Sequence, residues 1–378
     1  MGSTMLITPP RVSTLLSTLG LAALLVAGCG DDSPSGTESE GDAETEAEDT
    51  DPAASDTNAA TTGSMTDSGD GDGDGDGEGD GDGDGDGDGD GDGDGDDDNP
   101  ACASLQEGVN TGFMVDGVAR ELILNLPDGV DEGGPWPVVF NWHGLGDTAQ
   151  NMSGLVSPHV NNASMPFIAV TPEDTDYEID VPVLGKFPMD WDVFMVTEDS
   201  LEVKLFDAVL DCLDQRWGVD DAHIHSMGFS LGGITTDMLA NMRGEELASV
   251  ATYSGGYWST PGNVDPLLEA FIQWPPYTVQ NEYAQLFLHG GPADSFPLGI
   301  TSLQFDEFAA ADATLLNALG HDIIMCDHGQ GHTAPGPGMG GDKLIQFFAD
   351  HPLGTTDSPY ADGLPGDFAD YCAFQGKT

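Results

Sequence analysis

The apolar positions of this chain fall in short dense runs separated by stretches with a helical repeat. The runs lie at 121–126 (ELILNL), 137–142 (PVVFNW), 166–171 (PFIAVT), 222–228 (AHIHSMG), 248–254 (ASVATYS), 284–289 (AQLFLH) and 321–326 (HDIIMC). Several are continuously apolar rather than alternating, the pattern of strands covered by helices on both faces. Between them, 198–216, 231–243, 302–319 and 341–350 read as helices. In the third, Leu303, Phe305, Phe308, Leu315, Leu316 and Leu319 are spaced to form one apolar side. Strand–helix alternation of this kind predicts a mostly parallel α/β sheet.

The pattern is confined to residues 101–378, long enough for one large domain with a substantial core. The first hundred residues hold 28 of the 68 acids, one of the eight bases (Arg11) and no aromatic residue. Arg11 precedes an apolar run at 15–26 that is too short to span a bilayer. The run ends Leu25-Val26-Ala27-Gly28-Cys29, the layout of a signal peptide closing on a bacterial lipobox. Residues 1–29 are therefore expected to be a lipoprotein-type leader that leaves Cys29 as the lipidated first residue. The alternative is a plain secretory signal with a chance cysteine, and both export the chain. Residues 30–100 form an acidic spacer, with Gly-Asp alternation from Gly69 to Asp96 broken only by Glu78. Such a segment has no apolar area to bury, and like charges push it open beyond the roughly 45–50 Å of an uncharged coil. Asp-x-Asp-x-Asp-Gly also begins an EF-hand loop. With no glutamate at loop position twelve and no flanking helices, ion condensation is the better reading.

The charge narrows the partners. The 278 residues after the spacer carry seven bases against 40 acids, a net of −33. Such a surface repels phosphate backbones and anionic lipid, so a neutral small or polymeric ligand is favoured over nucleic acid. Four cysteines remain in the exported part: Cys102, Cys212, Cys326 and Cys372. An even count outside the cytoplasm suggests two disulfides rather than free thiols, and three pairings are possible. Cys102 and Cys372 lie near the two ends of the domain, so the expected arrangement is a Cys102–Cys372 clamp with Cys212–Cys326 inside. Cysteines this far apart in sequence make a poor zinc site.

Gly228-Phe229-Ser230-Leu231-Gly232 fits G-x-S-x-G, and it follows a predicted strand and opens a predicted helix, as a nucleophile elbow requires. A serine hydroxyl needs a base to take its proton. In chain order the partners should be an acid and then a histidine, each in a loop at the carboxyl end of a strand. Asp294 follows the 284–289 strand, and His332 follows the 321–326 strand. Competitors are His321 and His328 for the base, Asp327 for the acid, and a His328/His332 metal pair. His223 and His225 read as packed strand residues, and Asp265 and Asp312 as solvated charges. Two backbone N–H groups should stabilise an oxyanion: that of Leu231 and, from the loop His143-Gly144-Leu145-Gly146-Asp147, that of Leu145. His143 itself reads as a structural, hydrogen-bonded residue.

These stretches resemble the α/β-hydrolase esterases grouped around polyhydroxybutyrate depolymerases and feruloyl or acetylxylan esterases. The matching segments are PVVFNWHG (137–144), IHSMGFSLGG (224–233), LFLHGGPAD (286–294), GHTAPG (331–336) and FFADHP (347–352), in family order. The resemblance implies an α/β-hydrolase fold and an extracellular serine esterase needing no cofactor. Its substrates would be hydroxyacid esters or plant-wall esters, and its triad Ser230, Asp294 and His332. Hydroxyacid polyesters or oligoesters are the first choice, because an acidic surface disfavours substrates with a free carboxylate. A non-catalytic surface binding protein on the same scaffold is the alternative. Two departures stand out. One extra residue separates His289-Gly290 from Asp294, where the family reads H-G-x-x-D. Where the family has an aromatic substrate-lining motif, this chain reads Met189-Asp190-Trp191-Asp192-Val193-Phe194. Trp191 and Phe194 either line the acyl cleft or pack as a surface aromatic pair.

Overall fold

The computed structural model describes residues 100–376, apart from 176, 182–184, 279–280, 299–300 and 334–337. The expected leader, Cys29 and nearly all of the spacer lie outside the described residues. A short helix, α1 (Pro100–Ala103), leads into β1 (Gly108–Val115), β2 (Val118–Asn125) and β3 (Trp136–Trp142). Then come α2 (Ala149–Val156), β4 (Ile168–Pro172), the hairpin β5 (Glu178–Val181)/β6 (Gly185–Pro188) and α3 (Leu201–Trp217). The elbow region is β7 (Val219–Phe229) and α4 (Leu231–Met242), followed by β8 (Ser249–Tyr253) and β9 (Ala284–His289). The chain finishes with the hairpin β10 (Ser295–Leu298)/β11 (Thr301–Gln304), α5 (Phe305–Ala318), β12 (Ile323–Asp327), α6 (Asp342–Asp350) and β13 (Cys372–Phe374).

Nine strands make one sheet in the order β1-β2-β4-β3-β7-β8-β9-β12-β13. From β4 to β12 every pairing is parallel; the β1–β2, β2–β4 and β12–β13 pairings are antiparallel. The continuous apolar runs have a simple cause. Successive side chains of a strand point to opposite faces, and here both faces are buried. Val138 and Phe140 of β3, Val250 of β8 and Phe287 of β9 face the core formed with α3, α4 and α5. Val139, Ala251, Leu286 and Leu288 face a second core closed by α2 and α6. All twelve residues of α4 are buried, so this helix lies inside the molecule. Among the described residues no helix is long and apolar enough to cross a membrane.

The disulfides differ from the expected pairing. Cys102 is joined to Cys212, and Cys326 to Cys372. The reason is topological: β1 and β13 are opposite edges of the sheet, eight strand spacings or roughly 38 Å apart. Cys102 on α1 instead meets Cys212 on α3, with Cα atoms 4.7 Å apart. Cys372 opens β13 directly beside its register partner Cys326 on β12.

The predicted helix at 302–319 also starts later than its pattern suggests. Residues 301–304 form β11, and the helix begins at Phe305, although Leu303 is buried with the helix's own apolar side.

Candidate active site

Ser230 sits between the last residue of β7 and the first of α4, with φ of 56°, a left-handed backbone that a serine adopts only when its surroundings impose it. Two glycines make the turn possible. A Cβ on Gly228 would lie 2.1 Å from the carbonyl oxygen of Gly232, and one on Gly232 would lie 2.1 Å from that of Trp142. Helix α4 therefore starts against bare backbone of β7 and β3, and the serine is left at the carboxyl edge of the sheet.

Asp294 and His332 reach the same point from the carboxyl ends of β9 and β12. The Ser230 hydroxyl lies 2.9 Å from His332 Nε2, and His332 Nδ1 lies 2.7 Å from Asp294 Oδ1. Since a carboxylate oxygen only accepts, Nδ1 carries the proton, and Nε2 is left free to accept from the serine. The imidazole lies nearly parallel to Phe305, ring centres 4.9 Å apart, and 4.8 Å from Phe229. The extra residue before Asp294 is taken up in a 3₁₀ turn, Gly291–Ala293, closed by the Asp294 N–H on the Gly291 carbonyl.

Asp294 is fully buried. Its second oxygen accepts the Ser254 hydroxyl at 2.7 Å and the Gly290 N–H at 2.8 Å. Burial is the largest single influence on this carboxyl and opposes ionisation. The hydrogen bonds from His332, Gly290 and Ser254 together outweigh it and hold the group below its ordinary value. Asp294 is thus an ionised orienter of the imidazole. Asp327, its competitor, is half exposed and accepts the N–H of Gly329. His321 is buried on Tyr283 and Tyr277, and His225 on Ser249 and Phe348, both away from Ser230.

The loop after β3 runs alongside. A Cβ on Gly144 would lie 3.4 Å from that of Ser230, so the Gly144-Leu145 backbone is adjacent to the hydroxyl. Leu231 is the first residue of α4, where backbone N–H groups have no acceptor within the helix. Asp190 holds the loop from the far side, accepting the Gly146 N–H at 2.6 Å.

Comparison with known proteins separates fold from activity. No protein-family model matches the chain. In sequence it is 26% identical over 165 residues to feruloyl esterase D of Neurospora crassa, covering 43% of this chain and 55% of that protein. It is 29% identical over 174 residues to feruloyl esterase C of Emericella nidulans, covering 45% and 58%. The chain thus spans about half the length of the curated relatives it matches. In structure it matches native pOPH with a TM-score of 0.56 at 14% identity, over 72% of this chain and 95% of that one. It matches native sOPH at 0.52 and 18% identity, over 72% and 94%. Those likenesses establish the fold. The chain has an α/β-hydrolase fold and is similar in sequence to the feruloyl esterases.

A small cleft, partly open to solvent, lies beside Ser230. Apart from Ser230 its walls are apolar: Leu145, Met189, Phe194, Leu231, Ile234, Trp258, Phe296, Leu298, Leu303 and Phe305. Phe194 is on this wall. Trp191 is not: it is fully buried, packed edge-on against Trp142, and donates its indole N–H to the His143 carbonyl at 2.9 Å. The expected pair is therefore split, because the chain turns Trp191 under the loop while Phe194 faces the cleft.

Two features of the site had no sequence signal. Ser254, just past β8, reaches Asp294 only because its own backbone takes φ of 54°. The aromatic flank of His332 depends on Phe305 being the first residue of α5, directly after a hairpin. Asp312, expected to be solvated, is fully buried; it accepts from the Tyr257 N–H and from Asn263, and burial pushes its carboxyl up to about 7.

Proposed function

We propose that this protein is an exported serine hydrolase of neutral carboxylic esters. The observation that carries the reading is the unbroken series Ser230–His332–Asp294 at 2.9 and 2.7 Å, opening on an apolar cleft. His332 takes the Ser230 proton as the serine oxygen attacks the ester carbonyl, and Asp294 stabilises the imidazolium that forms. The N–H groups of Leu231 and Leu145 receive the negative charge on the carbonyl oxygen. His332 then protonates the departing alcohol. Water, deprotonated by the same imidazole, releases the acid from the acyl-enzyme.

A cleft with no charged side chain favours an uncharged, apolar acyl group. Esters of hydroxyacids meet that condition, since each internal acyl unit is itself neutral. An aromatic acyl group is the second reading. It is favoured by the rings of Phe194, Trp258, Phe296 and Phe305 around the cleft and by the names of the curated relatives. Export through a leader, anchoring at Cys29 and display on the 30–100 spacer complete the reading; two disulfides in the domain support an oxidising location. Turnover of a p-nitrophenyl butyrate, a hydroxybutyrate dimer ester and methyl ferulate by one preparation tests it. The best kcat/KM on the dimer supports the first reading and on the ferulate the second. No hydrolysis of any ester by folded protein would contradict both.

A further inference from the structure

Behind the loop that carries Leu145 lies a group the proposed ester chemistry does not use. His143 is completely buried. Its Nδ1 is 2.9 Å from the Gly144 carbonyl oxygen, which can only accept, so Nδ1 carries a proton and, in the neutral ring, Nε2 presents a lone pair. That lone pair is aimed at two carboxylates: Glu173 Oε1 at 3.3 Å and Asp174 Oδ2 at 3.8 Å. Nε2 is buried and makes a hydrogen bond to neither. In the neutral ring that lone pair faces two anions across a narrow gap, an arrangement that a proton on Nε2 or a cation between the groups relieves.

We propose that His143, Glu173 and Asp174 bind a divalent transition-metal cation of the Zn²⁺ class. The three candidate ligand atoms lie within 4.8 Å of one another. Ligands about 2.1 Å from one ion at tetrahedral angles are roughly 3.4 Å apart, which the 3.3 and 3.8 Å from Nε2 approach. One nitrogen and two carboxylate oxygens suit Zn²⁺ better than Ca²⁺, which takes six or more oxygens. The shell outside the ligands is also that of a metal site. The far ring nitrogen of His143 is fixed by a backbone carbonyl, and the second oxygen of Glu173 is engaged by the Ala149 N–H at the start of α2. Glu173 and Asp174 are partly exposed, 28% and 18% by side chain, so an ion can enter from solvent. The nearby Arg120 guanidinium pairs with Glu202 at 3.4 Å and also feels the charge of Asp174, offsetting part of that carboxylate's charge. The ion would clamp the β4 end to the loop that holds Leu145, beside Ser230 but outside the reacting atoms.

The test uses the full chain stripped by a chelator and titrated with Zn²⁺ alone, in excess Ca²⁺ to occupy the oxygen-only sites of the acidic run. The expected result is one Zn²⁺ per chain and a melting temperature that rises with added Zn²⁺. Both responses should weaken tenfold or more in Asp174→Asn, which keeps the side-chain volume, and in His143→Asn where that variant folds. Co²⁺ in place of Zn²⁺ should give visible absorption bands absent from Asp174→Asn. Equal Zn²⁺ binding by wild type and Asp174→Asn would overturn the site. So would a ¹⁵N spectrum in which His143 Nε2 carries a proton at neutral pH that Zn²⁺ does not displace. Neither readout depends on the esterase reading.

Discussion

Ser254 donates its hydroxyl to the Asp294 oxygen that does not face His332, at 2.7 Å. The relationship makes Asp294 a fixed post: one oxygen is held by Ser254 and Gly290, and the other is presented to the imidazole. Ser254→Gly keeps the left-handed backbone and removes only the donor. A hydrogen bond to a charged group contributes about 1.5–3 kcal/mol, so kcat on a soluble ester should fall roughly tenfold or more. KM should hardly move, because Ser254 is not on the cleft wall. An unchanged kcat would mean that Gly290 alone suffices to orient the acid.

Trp191 and Phe194 should separate in the same assay. Trp191→Phe removes the bond to the His143 carbonyl, worth about 1 kcal/mol, and should lower kcat about fivefold through the loop it supports. Phe194→Leu trims the cleft wall and should raise KM with kcat near wild type. Equal effects on both constants from both variants would show that the two aromatics act as one packed unit.

The Cys326–Cys372 bridge closes a 46-residue span that contains His332 and α6. Chain-entropy reasoning gives about 4 kcal/mol for a loop of that length. Replacing both cysteines with alanine should lower the melting temperature by many degrees, and calorimetry checks it. Peptide mapping should recover Cys102 with Cys212; recovery of Cys102 with Cys372 would contradict the sheet order itself.

Asp312 makes stability depend on pH. Burial raises its carboxyl to about 7 in the folded protein, above its ordinary 3.8. Between those values the folded state binds more protons than the unfolded one, so stability is greatest below pH 4 for this group and declines as pH rises toward 7. Asp312→Asn should flatten that decline in melting temperature between about pH 4 and 7. An identical slope in the variant would assign the decline to the other buried carboxyls, Asp237 and Glu202, which burial also pushes up.

Much of this was legible in the sequence wherever one residue type answers one local demand. The seven predicted strands are all present, because runs buried on both faces cannot be amphipathic helices. The elbow was legible because Gly228 and Gly232 sit where no side chain fits. What was not legible depends on the order of strands in space. The disulfide partners follow from β1 and β13 lying at opposite edges, which no cysteine spacing reveals. β1 escaped notice because its pairing with β2 shifts register between Thr111 and Phe113 and it is half exposed at the edge. Asp312 looked solvated because its partners, Tyr257 and Asn263, are far from it in sequence.

The central claim is that Ser230 is the nucleophile. The direct measurement is p-nitrophenyl butyrate hydrolysis by the full chain, wild type against Ser230→Ala, each with and without a serine-reactive phosphonate. Wild-type hydrolysis should disappear in the variant and under the phosphonate, with the phosphonate recovered on Ser230 by mass. Hydrolysis that persists in Ser230→Ala, or folded wild type that neither turns over the ester nor takes up the phosphonate, would contradict it.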